Sequence, residues 1–265
     1  MKARDDFKRK PNLNYEEYDT DKIPSNYLDR YDPILEPWIG KKITLLELGI
    51  LKGGSLQLWH DYFPFSKIVG IDLNLPEKFK PVENIYMYKG SQADTKFLSE
   101  VANEIAPDGY DIIIDDASHI GELTKIAFWH LFDNHLKPGG LYAIEDWGTG
   151  YWNDWPDGKS LDYNIFSQPP SKVSHFCVRL SQKIRRGLLK FTPNFITRKL
   201  PVLSATMPCH SYGMVGFIKQ LVDEQAASDV TRKNLSGKAE RDSKFKKIII
   251  TPSIVFIIKA DDHIN

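Results

Sequence analysis

Between Ile43 and Asp146 the chain repeats one pattern: a short apolar run, a turn rich in glycine or acid, then a stretch with helical spacing. The apolar runs are Ile43–Leu48, Lys67–Leu73, Ile85–Lys89, Tyr110–Ile114 and the run beginning at Leu141. Leu56–Phe63, Asp94–Ile105 and Leu123–Leu136 lie between them with amphipathic spacing. Strands that alternate with helices in this way bury both faces of a parallel sheet. Two further runs close the chain, Lys247–Ile250 and Ile254–Lys259, joined by Thr251, Pro252 and Ser253. That link is too short for a parallel crossover, so the last two strands are expected to pair antiparallel.

The fold expected is therefore α/β: a Rossmann-like, doubly wound, mostly parallel sheet closed by an antiparallel C-terminal hairpin. Residues 1–40 are polar, aromatic and punctuated by proline. Within them Ser25–Trp38 carries enough apolar positions, Tyr27, Leu28, Tyr31, Ile34 and Leu35, for a helix that packs as a cap. After Trp152 the alternation stops. Tyr163–Leu221 holds nine Lys or Arg and no Asp or Glu, and Phe176–Phe191 separates into apolar and basic helical faces. Gly213–Glu224 reads as a helix and Gln225–Lys247 as a charged linker. The expected organisation is one domain over 1–265, with cap 1–40, sheet core 41–152 and 245–260, and 153–244 as insertion, helix and linker.

The chain has 265 residues, 42% hydrophobic and 26% charged, enough for a sizeable core. Lys plus Arg and Asp plus Glu number 35 each, so no net charge recruits nucleic acid. Cys177 and Cys209 are too few for a four-cysteine zinc site and are expected as free thiols in a reducing compartment. The first residues, MKARDDFKRKPNLNYEEY, contain no apolar stretch of leader length, and no window approaches a membrane span. A cytoplasmic location is expected.

Glu47–Ser55 reads ELGILKGGS, a strand running into a glycine turn and a helix. Gly49, Gly53, Gly54 and Ser55 would let the backbone approach a ligand at the helix start, with Glu47 either touching it or bracing the loop. Asp72, ending the next strand, stands where a ribose-binding carboxylate belongs. Leu51 occupies the second-glycine position of a dinucleotide fingerprint, which leaves little room for a pyrophosphate. The only Tyr-x-x-x-Lys spacing, Tyr18 to Lys22, precedes the first strand, against a short-chain dehydrogenase. A nucleoside without phosphates fits better. For S-adenosylmethionine, adenosine would lie against Asp72 and the turn of Gly90, Ser91 and Gln92, with the methionine end at the glycine turn and Asp115.

The stretches TDKIPSNYLDRY, LLELGILKGGSLQLWHDYFPFSKIVGIDL, IIIDDASH and LKPGGLYAIEDWGTGYW together resemble class I S-adenosylmethionine-dependent methyltransferases. The group they are most similar to is the metal-dependent sugar O-methyltransferases of the mycinamicin and macrocin type. That resemblance implies Asp116, Glu145 and Asp146 as ligands of Mg²⁺, a hard oxygen set, and His119 as the base. A divalent cation lowers the pKa of a coordinated hydroxyl, and an imidazole is a proton acceptor near neutral pH. Ala117 stands where the family loop usually has glycine.

The plainer roles are a helix cap for Asp116 or Ser118 and a solvated strand end for Glu145 and Asp146. The rival activities are a metal-independent small-molecule methyltransferase, a non-catalytic S-adenosylmethionine-binding module in glycan assembly, and a family branch like cephalosporin hydroxylase. The resemblance implies a sugar or glycosylated metabolite as acceptor, and a homo-oligomer. The basic residues in 172–199 read as a solvated face or as a contact to an anionic substrate or membrane surface.

Overall fold

The computed structural model describes residue 13 and residues 15–159, 180, 183, 209–232 and 237–261. The chain divides into two compact units, Met1–Lys159 with Ser211–Asn265, and Ser160–His210. Of the second unit only Leu180, Lys183, Cys209 and His210 are described, so the basic stretch 172–199 otherwise lies outside the described residues.

The first unit is built on a seven-stranded sheet of order β3-β2-β1-β4-β5-β7-β6. Its strands are β1 Thr44–Leu48, β2 Lys67–Asp72, β3 Ile85–Lys89, β4 Tyr110–Asp115, β5 Leu136–Glu145, β6 Phe245–Ile250 and β7 Ile254–Lys259. β1 to β5 pair parallel, and β7 lies antiparallel to both β5 and β6. The expected topology is the one observed, including the closing hairpin. The helices are α1 Leu28–Leu35, α2 Gly54–Tyr62, α3 Thr95–Ile105, α4 Gly121–Asn134, α5 Gly213–Gln225 and the short α6 Ala227–Val230.

Two boundaries moved. β5 begins before the expected run at Leu141 and takes in Lys137–Gly140: Tyr110 pairs with Leu136 before the register shifts and Ile112 takes Leu141. Gly139, with φ of +70°, absorbs that irregularity within the strand. The cap helix is shorter than Ser25–Trp38: α1 accommodates Pro33 but ends at Leu35, where the chain tightens into a 3-10 turn at Glu36–Trp38 whose Pro37 has no N–H to continue the helix.

Alternation along the strands sorts side chains onto two cores. Leu46, Leu48, Val69, Ile71, Ile113, Tyr142 and Ile144 face α3, α4 and α5. Leu45, Ile68, Ile112, Ile114, Leu141, Ala143 and Phe256 face α2 and the N-terminal cap, which contributes Tyr27, Leu28, Tyr31 and Leu35. Each such aliphatic or aromatic chain contributes about 1.5–3 kcal/mol on burial. The same parity places the acids. Glu47 and Glu145 belong to the cap face, whereas Asp115 belongs to the α3–α4 face.

Candidate active site

The carboxyl ends of β1, β2 and β4 open onto two adjoining clefts of about 360 and 140 Å³. Both are lined by Gly49, Asp72 and Ala117. The larger also receives Ser55, Asp116, His119, Asp146 and, from the cap, Asp19, Thr20 and Asp21. Ser91 and Gln92 line the smaller. Gly49, with φ of +83°, leaves no room for a side chain: a Cβ would lie 2.2 Å from the Asp116 carbonyl oxygen. Asp72 braces the glycine turn as well as lining it, its Oδ2 accepting from the Ile50 and Leu51 amides at 2.9 and 3.2 Å.

Other expected cofactor residues do not line either cleft. Gly54 gives space to the cap, since a Cβ there would lie 2.3 Å from the Asp19 carbonyl oxygen. Gly53 precedes α2 in the left-handed region. Glu47 is wholly buried and accepts from Ser55 Oγ at 2.6 Å and Trp59 Nε1 at 3.1 Å, which is the bracing arrangement. Asp115, buried beneath the loop, accepts from Gln92 Nε2 and the Tyr142 hydroxyl, both at 3.2 Å. Burial pushes its pKa up to about 7 against these hydrogen bonds.

On the β4–β5 side, Asp116, His119 and Asp146 place one ligand atom each within 4.8 Å of one another. His119 Nε2 stands 3.8 Å from Asp116 Oδ1 and 3.9 Å from Asp146 Oδ2, too far for hydrogen bonds. Two carboxylate oxygens at this spacing fit a hard divalent cation with positions left for other oxygen ligands, and the imidazole nitrogen stands beside them. His119 and Asp146 both adopt φ of +51°, a backbone cost of about 1–3 kcal/mol each. Thr149 holds the pair: its hydroxyl reaches the Asp146 carbonyl at 2.9 Å and the His119 carbonyl at 3.3 Å. Trp155 Nε1 donates to the same His119 carbonyl at 3.1 Å.

Glu145 is turned elsewhere. Its Oε2 accepts from Lys22 Nζ at 2.8 Å and its Oε1 from the Tyr31 hydroxyl at 2.6 Å. Lys22, fully buried, also donates to Asp116 Oδ2 at 2.6 Å and pairs with Glu47 Oε1 at 3.3 Å. Burial alone would lower the lysine pKa, but Asp116, Glu145 and Glu47 around it hold it well above its ordinary value. Two buried acids and the partly buried Asp116 share this one ammonium, so burial, with the charge of neighbouring Asp116, pushes Glu145 well above the carboxylate range.

Lys22, Tyr27 and Tyr31 were not singled out as site residues from the sequence, although they lie in the TDKIPSNYLDRY motif. A usable signal existed: Glu47 and Glu145 share a strand parity with each other and with the apolar residues the cap covers, so buried acids there needed a cation from the cap.

No family model matches the chain. It is 35% identical to mycinamicin VI 2''-O-methyltransferase of Micromonospora griseorubida over 133 residues, 48% of this chain and 32% of the relative. To demethylmacrocin O-methyltransferase of Streptomyces fradiae it is 36% identical over 145 residues, 51% of this chain and 36% of the relative. The chain is similar to O-methyltransferases. Identity reaches 40% over 116 residues with 8-demethyl-8-(2-methoxy-alpha-L-rhamnosyl)-tetracenomycin-C 3'-O-methyltransferase of Streptomyces olivaceus, 41% of this chain and 29% of the relative. The chain thus spans about a third of the length of the curated relatives it matches.

Among solved structures, MycE methyltransferase from the mycinamycin biosynthetic pathway, in complex with Mg and SAH, superposes with a TM-score of 0.58. The match has 24% identity and covers 89% of this chain and 49% of MycE. That likeness shows the fold, a Rossmann-like methyltransferase sheet, and agrees with the resemblance carried by the motifs. Among the described residues no helix is long and apolar enough to cross a membrane.

Proposed function

We propose that this chain transfers a methyl group from S-adenosylmethionine to a hydroxyl of a sugar or glycosylated small molecule, assisted by Mg²⁺. The observation that carries the reading is the meeting of Asp116, His119 and Asp146 on the cleft that Gly49 and Asp72 also line. The relatives support it: they are O-methyltransferases, and the one acting on a tetracenomycin carries rhamnosyl in its name. MycE was solved with Mg, SAH and mycinamycin VI together.

Asp116 Oδ1 and Asp146 Oδ2 would hold the cation, with Glu145 behind them as a further carboxylate oriented by Lys22 and Tyr31. When bound, the cation lowers the pKa of an acceptor hydroxyl, and S-adenosylmethionine supplies the methyl group. His119 Nε2, making no hydrogen bond to either aspartate, would accept the proton that the hydroxyl loses. The glycine turn, Ser55, Asp72, Ser91 and Gln92 would seat the nucleoside and its methionine arm, with Glu47 and Asp115 bracing that seat from below. Thr149 and Trp155 keep the His119 backbone in place while the proton moves.

The test is calorimetry with S-adenosylhomocysteine together with a turnover screen over sugar acceptors, each with Mg²⁺ and with EDTA. Binding, and turnover that EDTA abolishes and added Mg²⁺ restores, is the expected result. Full turnover in EDTA would overturn the cation role, and an absence of S-adenosylhomocysteine binding would overturn the whole reading.

A further inference from the structure

Asp116 and Asp146 share a feature that their own loops do not explain. In each, one carboxylate oxygen is taken by a side chain of the N-terminal cap and the other stands toward His119. Lys22 holds Asp116 Oδ2, leaving Oδ1 at 3.8 Å from His119 Nε2. Tyr27 donates its hydroxyl to Asp146 Oδ1, leaving Oδ2 at 3.9 Å from the same nitrogen. The two oxygens of a free carboxylate are equivalent and the group rotates readily, so a fixed donor on one oxygen decides where the other points. Both aspartates are only partly buried, 18% and 23% exposed at the side chain, where water would otherwise compete for either oxygen.

Tyr27 is itself held. Its backbone is helical where it precedes α1, and its ring is buried. The Ser253 side chain, in the turn between β6 and β7, lies beside its phenol. Tyr31 lies four residues on, on the same helical face, and takes Glu145, the neighbour of Asp146. An i, i+4 pair on the cap is thereby matched to two successive acids at the end of β5.

We propose that Tyr27 is a positioning residue of the cation site: its hydroxyl fixes the carboxylate plane of Asp146 so that Oδ2 is presented beside Asp116 Oδ1. This rests on the cation reading given above. It also makes the cap part of the site, so that ligand geometry depends on the packing of a segment remote in sequence from the ligands.

Tyr27→Phe tests it, because the change keeps the buried ring and removes one hydroxyl. Mn²⁺ binding is measured on the full chain by calorimetry and by the electron paramagnetic resonance of free Mn²⁺. S-adenosylhomocysteine affinity and the melting temperature in EDTA are measured alongside. The expected result is Mn²⁺ affinity about tenfold weaker, as when a hydrogen-bond partner of a metal ligand is lost, with the other two quantities close to wild type. Equal Mn²⁺ affinity in the two proteins overturns the positioning role. So does a weakening matched by comparable losses of S-adenosylhomocysteine affinity and melting temperature, which marks general loosening of the cap. If wild type itself binds no Mn²⁺, the cation reading falls and takes this proposal with it, an outcome distinct from equal affinities.

Discussion

On the β1–β2 side of the cleft the backbone does the shaping: Gly49 in the left-handed region lies against the Asp116 carbonyl, and Asp72 receives the amides of Ile50 and Leu51. On the β4–β5 side the shaping is done by charge and by long-range partners. There Lys22 bridges Asp116, Glu145 and Glu47, while Tyr27 and Tyr31 hold Asp146 and Glu145. One half depends on what the chain is within a few residues. The other depends on a cap some hundred positions away meeting strand ends with the right parity. Backbone shaping is insensitive to charge and salt, whereas a buried ammonium among three acids stands or falls as a set.

The comparison breaks most visibly at Lys22. Lys22→Met leaves the buried Glu47 and Glu145 and the partly buried Asp116 without their cation, and breaking a buried pair by removing one partner costs about 3–5 kcal/mol. The denaturant midpoint in EDTA should fall accordingly. A midpoint within experimental error of wild type would show that the acids do not need the lysine. Gly49→Ala attacks the other half: the left-handed backbone alone costs about 1–3 kcal/mol, and a Cβ 2.2 Å from the Asp116 carbonyl oxygen must displace that loop as well. Its midpoint and Mn²⁺ affinity together tell whether the halves are coupled: unchanged Mn²⁺ binding would mean that the glycine turn and the acid cluster act independently.

The smallest effect lies away from both halves. Ser99 Oγ sits 2.8 Å from His130 Nε2 and 2.9 Å from His135 Nε2. Burial lowers the pKa of both histidines, and for His135 the neighbouring His130 and Lys259 lower it further. A histidine with a depressed folded pKa binds fewer protons when folded than when unfolded. Its contribution to stability is therefore present above the ordinary histidine pKa of about 6.5 and is lost as pH falls through the lower folded value. Urea midpoints between pH 5 and 7.5 should fall toward acid in wild type and fall less in the His130→Gln, His135→Gln double variant. Equal slopes would remove this pair from the account.

Much of the fold was legible in advance because the evidence for it is local. Apolar runs closed by glycine or acid gave β1 to β4, and the three-residue link at Thr251–Ser253 required the antiparallel hairpin. Where a boundary was misplaced, at Lys137–Gly140, tertiary pairing with Tyr110 overrode turn-forming residues. The candidate site was legible in part. Gly49, Ser55, Asp72, Ser91, Gln92, Asp116, His119 and Asp146 all line the clefts. Gly53 and Gly54 do not: Gly53 serves a left-handed turn and Gly54 the close approach of the Asp19 backbone, and such glycines look the same in a sequence as ones chosen for a ligand.

The sequence by itself determined the order of strands and helices, the glycine turn and the presence of acids at the ends of β4 and β5. Periodicity and turn chemistry are properties of neighbouring residues, and they act before any tertiary contact exists. Only the tertiary structure decided which way each acid faces and what holds it. Alternation sends Asp115 to the α3–α4 side and Glu47 and Glu145 to the cap side. Burial there makes an unpaired carboxylate too costly to keep, so the cap must bring its lysine and tyrosines to the spot. That pairing joins residues 22, 27 and 31 to 47, 116, 145 and 146 through space, where no local pattern records it.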